Sequence, residues 1–405
     1  MGRILSGMSA TAETAPTPTA ATLADDTRLG AVHLTVTDLD RSVAFYQDAI
    51  GLRVHRREDP VAAMGAGGED LVVLVEEQAA RRAGRHAGLY HVALLMPDRR
   101  ELARALQRLA ATRTPIEGAS DHGISEAVYL PDPDGNGLEL AADRPRSEWP
   151  DLARIGAPRP LDLHALLGLV ADEPPARHAA AGLTVGHVHL HVSDIAAARR
   201  FYEELIGFAA QTAMPNAVFV SAAGYHHHLA FNTWRGAGVP AAPAPETVAG
   251  LRHWTLLLDG AAQLDAVRAR LAAAGVPGEE RADGLLVADP AGIRLLLAAA
   301  PPAVERRGRA EVATDRPSPY LLQVAKHFRH KLDVSFDERE ATIAFASGRC
   351  DLHAADGVLV LEATAPTPAD LERVQQVIGS HLERFGRRDG LAVSWAPQDP
   401  TPPRA

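Results

Sequence analysis

One cysteine, Cys350, stands in 405 residues, so the chain cannot close an internal disulfide and cannot build a thiolate-rich metal cage on its own. Aromatic residues are scarce, at 5%. No apolar run approaches the ~18 residues that a bilayer-spanning helix needs. Cationic residues are outnumbered, 41 Lys and Arg against 51 Asp and Glu, giving a net charge of −10 with no long basic run. That balance argues against nucleic acid or an anionic membrane as the main partner. The first 27 residues are rich in Ala, Thr and Pro and hold a single basic residue, Arg3. They read as a disordered tail and not as a signal peptide, and a cytoplasmic location is expected.

What the chain does have is a duplication. AVHLTVTDLDRSVAFYQDAIGL begins at Ala31, and HVHLHVSDIAAARRFYEELIGF begins at His187. Val32, Leu34, Val36, Asp38, Phe45, Tyr46 and Gly51 return at Val188, Leu190, Val192, Asp194, Phe201, Tyr202 and Gly207. Each stretch predicts a strand, an acidic N-cap and an amphipathic helix that stops at glycine. Each copy divides again. GLYHVALLMPDRRELARALQRLAA from Gly88 and GLRHWTLLLDGAAQLDAVRARLAA from Gly250 both predict a strand and then a helix. Each copy is thus two modules of strand, helix and two or three further strands. The second modules close with AVYLPDPDGNGLEL and LLVADPAGIRLLL, which align as one hairpin.

Composition places the boundaries. A first repeat spans residues 28–144 and a second 183–300, joined by a Pro- and Ala-rich linker at 145–182. A charged linker at 301–311 leads to a third region at 312–397. The expected fold class is α+β: two tandem pairs of βαβββ modules, each forming an incomplete β cup, plus a small C-terminal α+β sandwich.

HVHLHVSD…FYEELIGF and its partner, YHVAL and HWTLL at the second modules, and DPDGNGLEL together resemble the vicinal oxygen chelate superfamily. That group includes glyoxalase I, type I extradiol dioxygenases and resistance proteins. GLYHVALLMP, SDHGISEAVYLPDPDGNGLEL and AGYHHHLAFNTW are similar to two-domain catechol-2,3-dioxygenase-like proteins. The resemblance implies a divalent ion, Fe(II) or Mn(II), that chelates two neighbouring substrate oxygens. It also implies ligands at a His opening the first strand of a repeat, a His opening the fifth and a Glu on the last.

Neither repeat carries that full set. The second has His187 and His253, with Leu296 in the acidic position; the first has Ala31, then His91 and Glu139. The resemblance to glyoxalase-type members implies a replacement ligand from the fourth strand, read as YHHHLAFNTW. If that stretch is extended, His226 and His228 share one face and His227 the other. The expected ligand set is therefore His187, His228 and His253, with His191 and His226 as acid–base groups and Asn232 and Arg294 as substrate contacts. His91 and Glu139 read as a relic pair, which His33 or His122 could complete, while His33 and His189 read as hydrogen-bonded cup residues. An arrangement ranked lower joins His187 to His91 and Glu139, and requires modules to pair across the repeats.

The implied function is a ring-cleaving, catechol 2,3-dioxygenase-like oxygenase acting on a small aromatic substrate with O2, in a chain that leaves a homo-oligomer open. The alternatives are a non-enzymatic small-molecule binder of the same fold and a glyoxalase-type lyase or isomerase. The C-terminal region resembles a bacterial domain family of unknown function. Its Lys326–Lys331 cluster is read first as a solvated helix face, and Cys350 with His353 as a weak metal signal.

Overall fold

A computed structural model of the chain describes residues 22–150, 157–300, 306–330, 332–345, 348–366 and 368–398. Most of the expected tail, residues 1–21, lies outside the described residues. Part of residues 22–27 is packed: the Thr22 amide donates to the Gly207 carbonyl, and Leu23 and Thr27 are buried. The chain divides into two compact units, at residues 1–300 and 301–405.

In the first unit, one module holds β1 (Arg28–Val36), β2 (Arg53–Glu58), β3 (Val61–Gly65) and β4 (Asp70–Glu76). The next holds β5 (Gly88–Met96), β6 (Gly118–Asp121), β7 (Ser125–Pro131) and β8 (Gly137–Asp143). After the short β9 (Arg159–Pro160), the second repeat supplies β10 (Thr184–His191), β11 (Ala209–Met214), β12 (Ala217–Ser221) and β13 (Leu229–Asn232). Its other module holds β14 (Gly250–Leu258), β15 (Gly278–Arg281), β16 (Gly284–Ala288) and β17 (Arg294–Ala299). Each module carries its helix after its first strand: α1 (Leu39–Phe45), α2 (Arg99–Ala111), α4 (Ile195–Arg199) and α5 (Gly260–Ala273), with α3 (Leu163–Gly168) in the linker.

The local signals act as read. Asp38 and Asp194 accept hydrogen bonds from the amides of Arg41 and Ala197, both at 2.9 Å, and so satisfy orphan donors at the helix starts. Both helices finish in a π-helical turn and stop at Gly51 and Gly207, whose φ of 87° and 107° disfavours any side chain. Along β1, Val32, Leu34 and Val36 are fully buried under the helices, and the residues between them face the cup. Burying each such apolar side chain stabilises by roughly 1.5–3 kcal/mol.

The pairing of modules departs from the expectation of one cup per repeat. One sheet runs β15-β16-β17-β14-β1-β4-β3-β2, and the other runs β11-β12-β13-β10-β5-β8-β7-β6-β9. Each cup therefore takes one module from each repeat. β10 lies antiparallel to β5 with His189 opposite His91, and β1 lies antiparallel to β14 with His33 opposite His253.

Modules of the same repeat meet through their helices. The Arg108 guanidinium, on α2, donates to the carbonyls of Ala49 and Ile50 at 3.2 and 2.6 Å. Arg270, at the matching place on α5, donates to Leu205 and Ile206, both at 2.8 Å. Each arginine thus satisfies carbonyls that the neighbouring helix end leaves free. Tyr46 donates to Asp132 at 3.3 Å and Tyr202 to Asp289 at 2.9 Å, tying each first-module helix to the turn of the second module.

Burial pushes the Asp289 carboxyl from its ordinary 3.8 up to about 6, against hydrogen bonds from the Ile293 amide, the Tyr202 hydroxyl and the Ala291 amide. An acid whose folded pKa is raised binds its proton more tightly when folded. The contribution of this group to stability is then greatest below about pH 4 and is lost as the pH rises through 6, by up to about 3 kcal/mol for a shift of this size. Asp289→Asn keeps the acceptor for both amides and should flatten this slope in urea titrations between pH 4 and 7. Parallel profiles for the two proteins would refute the assignment.

The second unit is an α+β sandwich with its own core. Its strands are β18 (Arg306–Ala313), β19 (Asp333–Phe336), β20 (Glu340–Phe345), β21 (Gly348–Ala355), β22 (Val358–Ala365) and β23 (Ala396–Gln398), in the order β19-β20-β21-β22-β18-β23. α6 (Pro317–Phe328) and α7 (Pro368–Phe385) cover it, packing Leu321, Val324, Ile378 and Leu382 onto Ile343 and Leu361. β18 begins inside the stretch read as a linker. Cys350 is fully buried, while the His353 side chain is 54% exposed and pairs with Glu340, so the two do not form a metal site. Among the described residues, no helix is long and apolar enough to cross a membrane.

Candidate metal centre

Three adjacent strands of one cup set the site. On β5, Ala93 lies opposite His187 of β10 and opposite Glu139 of β8. Residues level across a sheet point to the same face, so His187 and Glu139 flank the small Ala93 side chain, and His91 stands two residues away on that face. The three functional groups converge above it. The Glu139 Oε2 atom lies 3.0 Å from His91 Nε2 and 3.1 Å from His187 Nε2, and the two nitrogens are 3.2 Å apart. All three side chains are buried.

This donor set fits a divalent ion. Ligands ~2.1 Å from a common ion at right angles stand about 3.0 Å from one another, which matches the observed triangle. Two imidazoles and one carboxylate also make the facial set that leaves adjacent positions for other oxygens. Burial keeps His187 below its ordinary pKa despite the pull of Glu139, so the ring is in the neutral form that a metal needs. Burial works against ionisation of Glu139, yet the two imidazoles and their hydrogen bonds hold its carboxyl well below the usual range.

Further groups surround the triangle. Tyr129 lies opposite Glu139 across the β7–β8 hairpin, and its ring is 5.7 Å from that of His91. The His122 Nε2 atom is 2.7 Å from the Tyr129 hydroxyl. On the other side, the His227 ring packs 4.1 Å from the His187 ring. His227 Nδ1 is 2.8 Å from His226 Nδ1, and His226 Nε2 is 3.0 Å from the Asp143 carboxylate. Tyr225 donates to the other oxygen of Asp143 at 2.7 Å. The buried Asn232 bridges His189 and His191, at 2.8 Å to each.

The expected ligand triad is not assembled. His253 lies in the other cup, stacked on His33 with ring centroids 3.9 Å apart, because β14 pairs with β1. Arg294 opens β17 of that same sheet and is exposed. His228 accepts from the Ala222 amide and packs on Tyr225. Side chains do not alternate there because the strand begins only at Leu229: the histidine run is an irregular bend, and His227 is the one beside His187. His226 bonds to Asp143 and His227, while His191 and Asn232 are buried and bonded to each other in this same cup. His91 and Glu139, read as a relic, are joined by His187 in the arrangement ranked lower. Tyr129 was legible, since counting outward from the DPDGNG turn pairs it with Glu139. His227 was not, because only the bend aims it.

Residues 28–140 and 184–297 match the Glyoxalase/Bleomycin resistance protein/Dioxygenase superfamily, and residues 309–396 match an uncharacterized protein family conserved in bacteria. A Bacillus subtilis (strain 168) protein named catechol-2,3-dioxygenase is 39% identical over 274 residues, covering 66% of this chain and 95% of its own length. The crystal structure of glyoxalase I from Zea mays is 17% identical, covering 68% of this chain and 92% of that one, with a TM-score of 0.44. A halotolerant catechol dioxygenase is 18% identical over 67% of this chain and 86% of that one, with a TM-score of 0.26. With both repeats matched and a relative at 39% identity spanned almost end to end, the chain belongs to the glyoxalase/bleomycin resistance/dioxygenase superfamily.

Proposed function

We propose that this protein is a metal-dependent ring-cleaving dioxygenase of the extradiol type, acting on a catechol-like substrate. The observation that carries the proposal is the buried triangle of His91, His187 and Glu139. The relative named catechol-2,3-dioxygenase supports the reaction class. His91, His187 and Glu139 would hold Fe(II), or Mn(II). When bound, the ion supplies Lewis acidity to two chelated oxygens and a coordination position for O2.

The chain's own groups do the rest. With Asp143 accepting from His226 Nε2–H, His226 Nδ1 is left as an acceptor and takes the Nδ1–H of His227. His227 Nε2 then carries a lone pair and can remove a proton from a substrate hydroxyl. Burial keeps His227 well below its ordinary pKa, hence neutral before it acts. On the opposite wall, burial raises the Tyr129 hydroxyl, with Glu139 the next cause, so it stays protonated and serves as a donor. His122, neutral through burial, is hydrogen-bonded to that hydroxyl through Nε2 at 2.7 Å and fixes its direction. A base on one side and a donor on the other is the pairing that ring opening requires.

Anaerobically purified protein should contain about one Fe or Mn per chain and consume about one O2 per catechol cleaved. Metal without O2 uptake would favour the lyase or isomerase alternative, and absence of metal would favour a binding protein.

A further inference from the structure

We propose that Tyr90 and Trp234 form an aromatic corner that seats the planar ring of the substrate and selects for aromatic over aliphatic vicinal dioxygen compounds. The inference deepens the preceding reading of the cup and rests on it. Tyr90, 40% exposed, and Trp234, 47% exposed, are the large hydrophobic side chains left in solvent among the described residues. They are side by side, with ring centroids 5.5 Å apart and planes at 88°. One comes from each repeat, so they meet only because the modules pair across the repeats. A β-bulge explains the presence of Tyr90: His189 pairs with His91 but Leu190 with Leu89, leaving Tyr90 the extra residue. The bulge turns two consecutive residues, Tyr90 and His91, toward the cup. The Tyr90 ring accordingly lies 4.8 Å from His91, one of the three metal-site residues, and 5.0 Å from His189. Trp234 lies 5.2 Å from His189, and its backbone amide donates to the Asn232 side-chain Oδ1 at 2.9 Å. Two perpendicular rings offer one face and one edge, the two geometries that aromatic pairs prefer, so a flat ring placed there is fixed in two directions. The equivalent bulged residue of the other cup is Arg252, which pairs with Glu77. The aromatic corner therefore belongs to the cup that holds the candidate metal centre.

The test is calorimetric and anaerobic, on full-length protein loaded with Fe(II), with catechol and the non-aromatic chelator oxalate as probes. The Tyr90→Ala/Trp234→Ala double variant should lose about tenfold in catechol affinity. It should keep its iron and bind oxalate within about twofold of the unaltered protein. Tyr90→Phe should match the unaltered protein, because the ring and not the hydroxyl is used. Equal loss for both probes, or loss for neither, overturns the proposal. So does a double variant that alters only the oligomeric state in light scattering, which would make the pair a subunit contact. Catechol binding that depends on the pair, without O2 uptake, would leave the corner standing and defeat the dioxygenase reading; no catechol binding at all would defeat both.

Discussion

Glu139→Gln is expected to empty the metal site as completely as His187→Ala, although the two residues belong to different repeats. The Glu139 carboxylate faces both imidazoles, at 3.0 and 3.1 Å. Gln replaces a charged oxygen ligand by an amide of nearly the same size, so folding is spared while the anionic donor is lost. Turnover should fall by at least ~10³-fold in each variant, about 4 kcal/mol in barrier. His253→Ala, in the cup that has Ala31 and Leu296 at the other ligand positions, should keep its full metal content. Elemental analysis of the three purified variants decides the matter. Iron retained in Glu139→Gln but lost in His253→Ala would move the working site to the other cup.

His227→Ala should keep the metal and lose about a hundredfold in kcat, the lower range for removal of a general base and about 3 kcal/mol in barrier. Asp143→Ala should fall between this variant and the unaltered protein. Asp143 acts only by fixing which nitrogen of His226 carries the proton, and with it the bare nitrogen of His227. Tyr225 also loses its acceptor in that variant, so circular dichroism and metal content must accompany the kinetics. A His227→Ala protein that turns over catechol within threefold of the unaltered enzyme would remove His227 from the proton path.

The sequence by itself determined the modules, most of their strands and helices and the two-cup α+β class. Those features depend on short-range patterns: alternation along β1 and β10, Asp N-caps at 38 and 194, glycine stops at 51 and 207. It also showed that each repeat holds an incomplete set, His91 and Glu139 in one and His187 and His253 in the other. Which module partners which was decided only by the tertiary structure. GLYHVALLM and GLRHWTLLL carry nearly the same hydrophobic pattern, so β1 or β10 could lie against either strand as far as local signals go. The choice is made by contacts far apart in sequence. Arg108 and Arg270 cap the neighbouring helix ends, and Tyr46 and Tyr202 bind Asp132 and Asp289, which spends each repeat's internal contacts on helices and leaves its strand edges for the other repeat. The same long-range packing turns His226–His228 into a corner instead of a strand and places His227 beside His187. A candidate metal centre divided between two repeats is visible only once those edges have met.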